Sequence, residues 1–192
     1  QKNDIWTEWE ENGQIKSQRT YLAGRIEQEK NYKNGGLVSD IAYTYDVKGQ
    51  VKIEGHYIDG ILDIETKYEY HSNGGLKSKA NFHNKNTTGN AWKWYANGQM
   101  RVEAPFINGV PNGKMTVWYE NGQISEKTNF KDGKKNGITT TWYENGQIKA
   151  EGNHKDSNLV NETNYIYYRN GRLKWEKSYH DGSNLVKKTK KK

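Results

Sequence analysis

An internal repeat restricts this chain more than any other feature. Trp118-Tyr-Glu-Asn-Gly-Gln-Ile124 and Trp142-Tyr-Glu-Asn-Gly-Gln-Ile148 are identical and 24 residues apart, with weaker copies at Trp94-Tyr-Ala-Asn-Gly-Gln-Met100 and Trp9-Glu-Glu-Asn-Gly-Gln-Ile15. The turn glycines Gly13, Gly49, Gly74, Gly98, Gly122, Gly146 and Gly171 are spaced 36, 25, 24, 24, 24 and 25 residues apart. A second turn follows the first by 11 residues, as at Gly98 and Gly109, so the interval of 36 is one repeat plus a duplicated half-unit, residues 24 to 35. About seven and a half units fill the chain, and nothing is left for a separate catalytic domain.

Turn signals of the Asn-Gly or Asp-Gly kind every 11 to 14 residues, with Trp, Tyr, Ile, Val and Thr between them, predict β-hairpins. No segment sustains a helical period. The expected fold is all-β: an elongated, solenoid-like, single-layer antiparallel meander of stacked hairpins, about seven units of 24–25 residues and about 14 strands. Residues 1–186 form one repeat domain and 187–192 a basic tail.

Counting from each turn glycine sorts the faces. Four residues before it stand Trp9, Tyr45, Tyr70, Trp94, Trp118, Trp142 and Tyr167, and two after it Ile15, Val51, Leu76, Met100, Ile124, Ile148 and Leu173. These two sets oppose one another only if the loop has three residues and ends on a left-handed glycine. Aromatic against aliphatic is the stabilising cross-strand pair, so that turn is expected. Eight after the glycine come Tyr21, Tyr57, Phe82, Phe106, Phe130, His154 and Tyr179, expected on the same face. The opposite face should carry solvated Lys and Glu, such as Lys52 with Glu54 and Lys149 with Glu151. Ring-on-ring stacking along the ladder is expected to replace the absent second layer.

Composition alone points the other way. Leu, Ile, Val and Phe make up only about 16% of the chain, a level at which a charged chain defaults to disorder. Seven Trp and 14 Tyr contradict that default, and the repeat explains it: stability is shared among neighbours built on aromatics. No apolar run approaches the ~20 residues of a membrane-spanning helix, so the chain reads as soluble. It has no cysteine, which excludes disulfides, thiolate nucleophiles and Cys-based zinc sites. The net charge of +7 is mostly a tail: Lys187 to Lys192 hold five of the 30 basic residues, and they read as a frayed, solvated end. Nucleic-acid or membrane contact is expected only through them. The opening Gln1-Lys2-Asn3, without an initiator Met, favours an exported or cell-envelope protein slightly over a cytoplasmic one.

The recurring aromatic, Asn-Gly, aliphatic and second Gly resemble the bacterial variant of the MORN repeat, most closely from Trp92 to Gly146. Gly49 departs by following Lys48, and Ser157 and Lys85 replace a second-turn glycine, so irregular edges are expected in those last two units. The resemblance implies a curved sheet of hairpins used for binding proteins, and an antitoxin-like or immunity-like role.

Catalysis needs unlike residues converging, whereas a repeat supplies the same residue many times. The histidines His56, His71, His83, His154 and His180 have no metal-binding spacing, and His154 reads as a replacement for a core Phe or Tyr. No catalytic, metal or cofactor residue is expected. Tyr95, Tyr119, Tyr143 and Tyr168, three before the glycine, should face away from the Trp row and form the candidate binding surface for a protein partner or a second copy. The alternative is a glycan or choline module using open aromatic cages.

Overall fold

The computed structural model describes residues 3–83, 88–180 and 184–190. They form one antiparallel sheet of 17 strands. The strands are β1 (Asp4–Trp9), β2 (Ile15–Leu22), β3 (Arg25–Lys33), β4 (Gly36–Tyr45), β5 (Val51–Ile58), β6 (Ile61–Tyr70), β7 (Leu76–His83), β8 (Gly89–Trp94) and β9 (Met100–Ile107). They continue as β10 (Val110–Pro111), β11 (Gly113–Trp118), β12 (Ile124–Lys131), β13 (Lys134–Trp142), β14 (Ile148–Lys155), β15 (Asn158–Tyr167), β16 (Leu173–His180) and β17 (Asn184–Lys190). Each pairs with its successor in the chain, except that β9 pairs with both the short β10 and β11. The sheet is an open meander rather than a closed solenoid. Its strands exceed the expected 14 because the half-unit adds β3, β17 follows the seventh hairpin, and β10 is separate from β11. No helix is long and apolar enough to cross a membrane among the described residues.

The first turns have the expected geometry. Glu10 N–H donates to Gln14 O and Gly13 N–H to Glu10 O, at 2.8 and 2.9 Å, and the other six units repeat this. All seven glycines have φ between 81° and 87°. Trp9 accordingly faces Ile15, and Tyr45, Tyr70, Trp94, Trp118, Trp142 and Tyr167 face Val51, Leu76, Met100, Ile124, Ile148 and Leu173. Where Lys48 replaces Asn, the Asp46 carboxylate accepts from the N–H groups of Lys48 and Gln50, both at 2.9 Å. The described second turns such as Asp59-Gly60 and Asn108-Gly109 are two-residue loops with positive φ at both positions. Asp156 and Ser157 adopt the same conformation at φ 51° and 70°, so that unit is regular despite its missing glycine. Lys85 and Asp181-Gly182 lie outside the described residues.

One residue after each aromatic–aliphatic pair the register slips. Glu8 faces Ser17 rather than Lys16, and Lys52, Lys77, Arg101, Ser125, Lys149 and Lys174 are likewise the extra residue of a β-bulge. An extra residue reverses the in–out alternation of everything after it. Two expectations fail for this reason. Tyr57, Phe82, Phe106, Phe130, His154 and Tyr179 stand on the face opposite the ladder, while Glu54, Glu103 and Glu151 join the ladder face.

The half-unit has a second consequence. It inserts a single strand, so unit one is turned over relative to the rest. Following the paired residues Trp6, Arg19, Glu29 and Ile41 shows Trp6 on the face of Tyr45 and Trp9 on the other. The Asn12-Gly13 turn also falls on the border where the other units place their second turns.

A single layer has no interior for large side chains. The buried apolar residues among those described are Ala104 and Ala150, joined by small polar ones such as Ser17, Thr128 and Thr139. Gly55 and Gly152 are buried beneath Leu62 with Tyr57 and Leu159 with His154. Accessible surface is 12617 Å², against roughly 9,400 Å² for a compact monomer of this mass. The lysine run is not wholly frayed: residues 187–190 belong to β17, which pairs with β16.

Candidate interaction surface

Along one row of the ladder face, charged residues alternate with rings and then with threonines. Tyr68, Lys79, Trp92, Glu103, Thr116, Lys127, Thr140, Glu151, Thr163 and Ser178 are successive direct neighbours across the strands. The Lys79 ammonium lies 5.6 Å from the Tyr68 ring centre and 6.0 Å from that of Trp92, and Lys127 lies 5.9 Å from Trp142. Trp92 Nε1–H donates to Glu103 at 3.2 Å. Ring-on-ring stacking is confined, among the described residues, to an edge contact of Tyr143 with Tyr167 at 6.3 Å. Cation–ring contacts, with Lys79 between Tyr68 and Trp92 and Lys127 over Trp142, therefore stand on this face in place of the expected stack.

The carboxylates on this face are engaged, not solvated. Tyr68 O–H donates to Glu54 at 2.7 Å, and Tyr165 O–H to Glu151 at 2.9 Å. Burial alone would raise Glu54, but the hydrogen bonds from Tyr68 and His56 outweigh it and hold the carboxyl below its ordinary value. Burial and then the Glu151 bond push Tyr165 up to about 12. Further along, Glu103, Pro105, Thr116, Trp118, Ile124 and Lys127 line an open cleft of about 520 Å³.

Three of the four candidate tyrosines, Tyr95, Tyr119 and Tyr143, reach along the turn border to the next repeat instead of standing off as a free face. Tyr95 and Tyr119 donate to the carbonyls of Trp118 and Trp142 at 2.8 and 2.7 Å, and Tyr143 to that of Tyr165 at 3.4 Å. Arg101, Lys149 and Lys174 sit 5.5, 5.9 and 5.2 Å from the rings of Tyr95, Tyr143 and Tyr168. These cations are the bulged residues, so the bulge is what brings charge over the ring. Tyr143 and Tyr168 remain 37% and 41% exposed.

The turns themselves are laced together. Asn73, Asn97 and Asn121 donate to Ala96, Glu120 and Glu144 O of the following turn, and Gln50 and Gln147 to Gly74 and Gly171 O. His71, at the tyrosine position of its own unit, lies 3.0 Å from Trp94 O and acts as a further strut. Its register was readable in sequence, but a search for metal spacing passes over it. Trp9, Tyr45, Tyr70, Trp94, Trp118, Trp142 and Tyr167 are wall, each paired as described. The open cages of a choline module do not form at Tyr68, Trp92 and Trp142, where the chain's own lysines stand over the rings.

Five segments, residues 5–23, 66–84, 88–108, 111–132 and 135–156, match the MORN repeat variant family and together cover more than half of the chain. No curated protein matches the sequence. Among solved structures, TcdB2-TccC3-TEV is similar over 98% of this chain and 10% of its own, at 15% identity and a TM-score of 0.30. A Bacteroides fragilis protein of unknown function is similar over 98% of this chain and 93% of its own, at 11% identity and a TM-score of 0.18. The chain thus spans a tenth of the first of these proteins.

Proposed function

The chain belongs to the MORN repeat variant family, and we propose that it is a non-enzymatic scaffold that holds a protein partner along the border carrying Tyr95, Tyr119, Tyr143 and Tyr168. One observation carries the reading: Tyr143 and Tyr168 are exposed rings one repeat apart, each with a lysine against it. Rings fixed in advance lose little freedom on docking, and large amphipathic side chains are where interface energy concentrates. The cation beside each ring favours an acidic partner surface.

Capture from native cell extract tests this. The Tyr143→Ser, Tyr168→Ser double variant should lose a partner that the Tyr119→Phe variant, which removes only a strut hydroxyl, retains. Full retention by the double variant sinks the placement. A second copy of the chain is one partner the same experiment reports. The narrower form of the proposal is an antitoxin-like or immunity-like role in an exported bacterial protein. It requires the wild-type chain, and not the double variant, to protect cells expressing the captured partner.

A further inference from the structure

Asn-Gly pairs recur ten times in the chain. They serve the turns first, but an asparagine followed by glycine is also open to attack on its own side chain, because no Cβ shields the glycine nitrogen. That nitrogen must shed its proton and close on the asparagine Cγ. A glycine N–H that is already donating, or a carboxamide that is already held, therefore resists the reaction, and the ten pairs differ in both respects.

In the first turns every glycine N–H is engaged, as at Gly98 to Tyr95 O and Gly122 to Tyr119 O, both 3.0 Å. Asn97 is fixed at both ends of its carboxamide as well. Its Oδ1 accepts from Gln99 N–H at 2.9 Å while its Nδ2 donates to Glu120 O at 3.1 Å, and Asn121 is held in the same way by Gln123 and Glu144. Gly113 and Gly137 are pinned instead within their strands, where they pair with Phe130 and His154. The second turns Asn34-Gly35 and Asn108-Gly109 lack these restraints. Both pairs are exposed, and among the described residues neither glycine N–H nor either carboxamide makes a hydrogen bond. Asn108 is tied only through its backbone N–H, which donates to Thr88 Oγ1 at 3.1 Å and leaves the side chain free.

We propose that Asn34 and Asn108 are self-modification sites, where the carboxamide is hydrolysed through a cyclic imide while the first-turn asparagines stay intact. The Gly35 or Gly109 nitrogen forms a bond to Cγ, the Cγ–Nδ2 bond breaks, and ammonia leaves with the glycine proton. Water then opens the ring. Cleavage at Cγ leaves aspartate and cleavage at the main-chain carbonyl leaves isoaspartate, so each event consumes water, releases ammonia and exchanges no electrons. The aspartate product fits the turn: Asp59 and Asp132 hold the same slot at φ 50°, as Asn34 and Asn108 do at 52° and 50°. Isoaspartate adds a methylene to the main chain of a two-residue loop whose twist is matched to its strands. It therefore parts the flanking pairs, Lys33 with Gly36 and Ile107 with Val110. Either product puts a new negative charge on the border opposite the tyrosines.

The test incubates the whole chain at neutral pH, folded and in urea, and maps its peptides by mass spectrometry, with isoaspartate scored by enzymatic methylation. In the folded chain Asn34 and Asn108 should convert first, about tenfold or more ahead of Asn97 and Asn121, which must give up at least two further hydrogen bonds. In urea the gap should close, since the local sequence is Asn-Gly throughout. Asn108→Asp should keep the protection of the Val110 amide in hydrogen exchange, whereas chains carrying isoaspartate at 108 should lose it. Conversion of Asn97 or Asn121 as fast as Asn108 in the folded chain, or a gap that survives in urea, overturns the proposal.

Discussion

Gly98 isolates the cost of the left-handed turn. A Cβ there meets nothing within 4 Å, so Gly98→Ala at φ 87° adds conformational strain alone. About 1–2 kcal/mol should be lost in denaturant unfolding. Ser157 is the converse case. Replacing it with glycine relieves its φ of 70° but removes the Oγ that accepts from Lys135 N–H at 3.2 Å. Each effect is worth about 1 kcal/mol, so Ser157→Gly should be neutral within about half of that. Ser157→Ala, which keeps the strain and loses the bond, should cost about 1 kcal/mol. The turn glycines were legible in the sequence because only one loop type places aromatic against aliphatic. The inter-repeat bonds of Asn73, Asn97 and Asn121 were not, because Asn-Gly is already explained by the turn it makes.

At the level of the hairpin, the bulge decides which residues meet. Nothing in composition marks it: the slot holds Lys or Arg in six units and Ser125 in the seventh. Counting by twos through it therefore put Phe106 and His154 on the wrong face, and hid the Tyr68–Glu54 and Tyr165–Glu151 bonds. Lys149→Ala should cost only tenths of a kcal/mol, because surface changes of this kind are small (within about 0.5). Deleting Lys149 reverses the alternation of the rest of β14, exposing Ala150 and Gly152, and should abolish protection of β14 amides in hydrogen exchange. Native-like protection in the deletion removes the bulge from the account. The Tyr165–Glu151 pair gives a pH signature. With its folded pKa raised from 10.0 to about 12, Tyr165 contributes stability that is complete below pH 10 and is lost as pH rises towards 12. Absorbance at alkaline pH should show this tyrosine ionising late, and Glu151→Gln should bring it earlier.

Across the whole molecule, stability is local: each strand touches its neighbours and no central core exists to couple the ends. Unit one is joined to the rest through the half-unit, which turns it over so that its Asn-Gly turn and Trp9 sit on the border and face used differently elsewhere. The duplication was visible in the spacing of 36, but its geometric effect follows only from counting strands, since one strand, unlike two, swaps both face and border. Removing residues 25–35 should restore a spacing of 25 between the first two turn glycines and rotate unit one into line with the others. In that shortened chain β2 pairs directly with β4, bringing position 18 opposite position 41. In the full chain the two are separated by β3, where Gln18 pairs with Lys30 and Ile41 with Glu29. Because the protein has no cysteine, a Gln18→Cys, Ile41→Cys pair reports the rearrangement without interference. Cross-strand neighbours about 4.5–5.5 Å apart at Cα can close a disulfide. The bond should form in the shortened chain and not in the full one. A shortened chain that keeps its sheet yet leaves both thiols free would show that unit one's orientation is set by its own residues and not by the parity of the strands behind it.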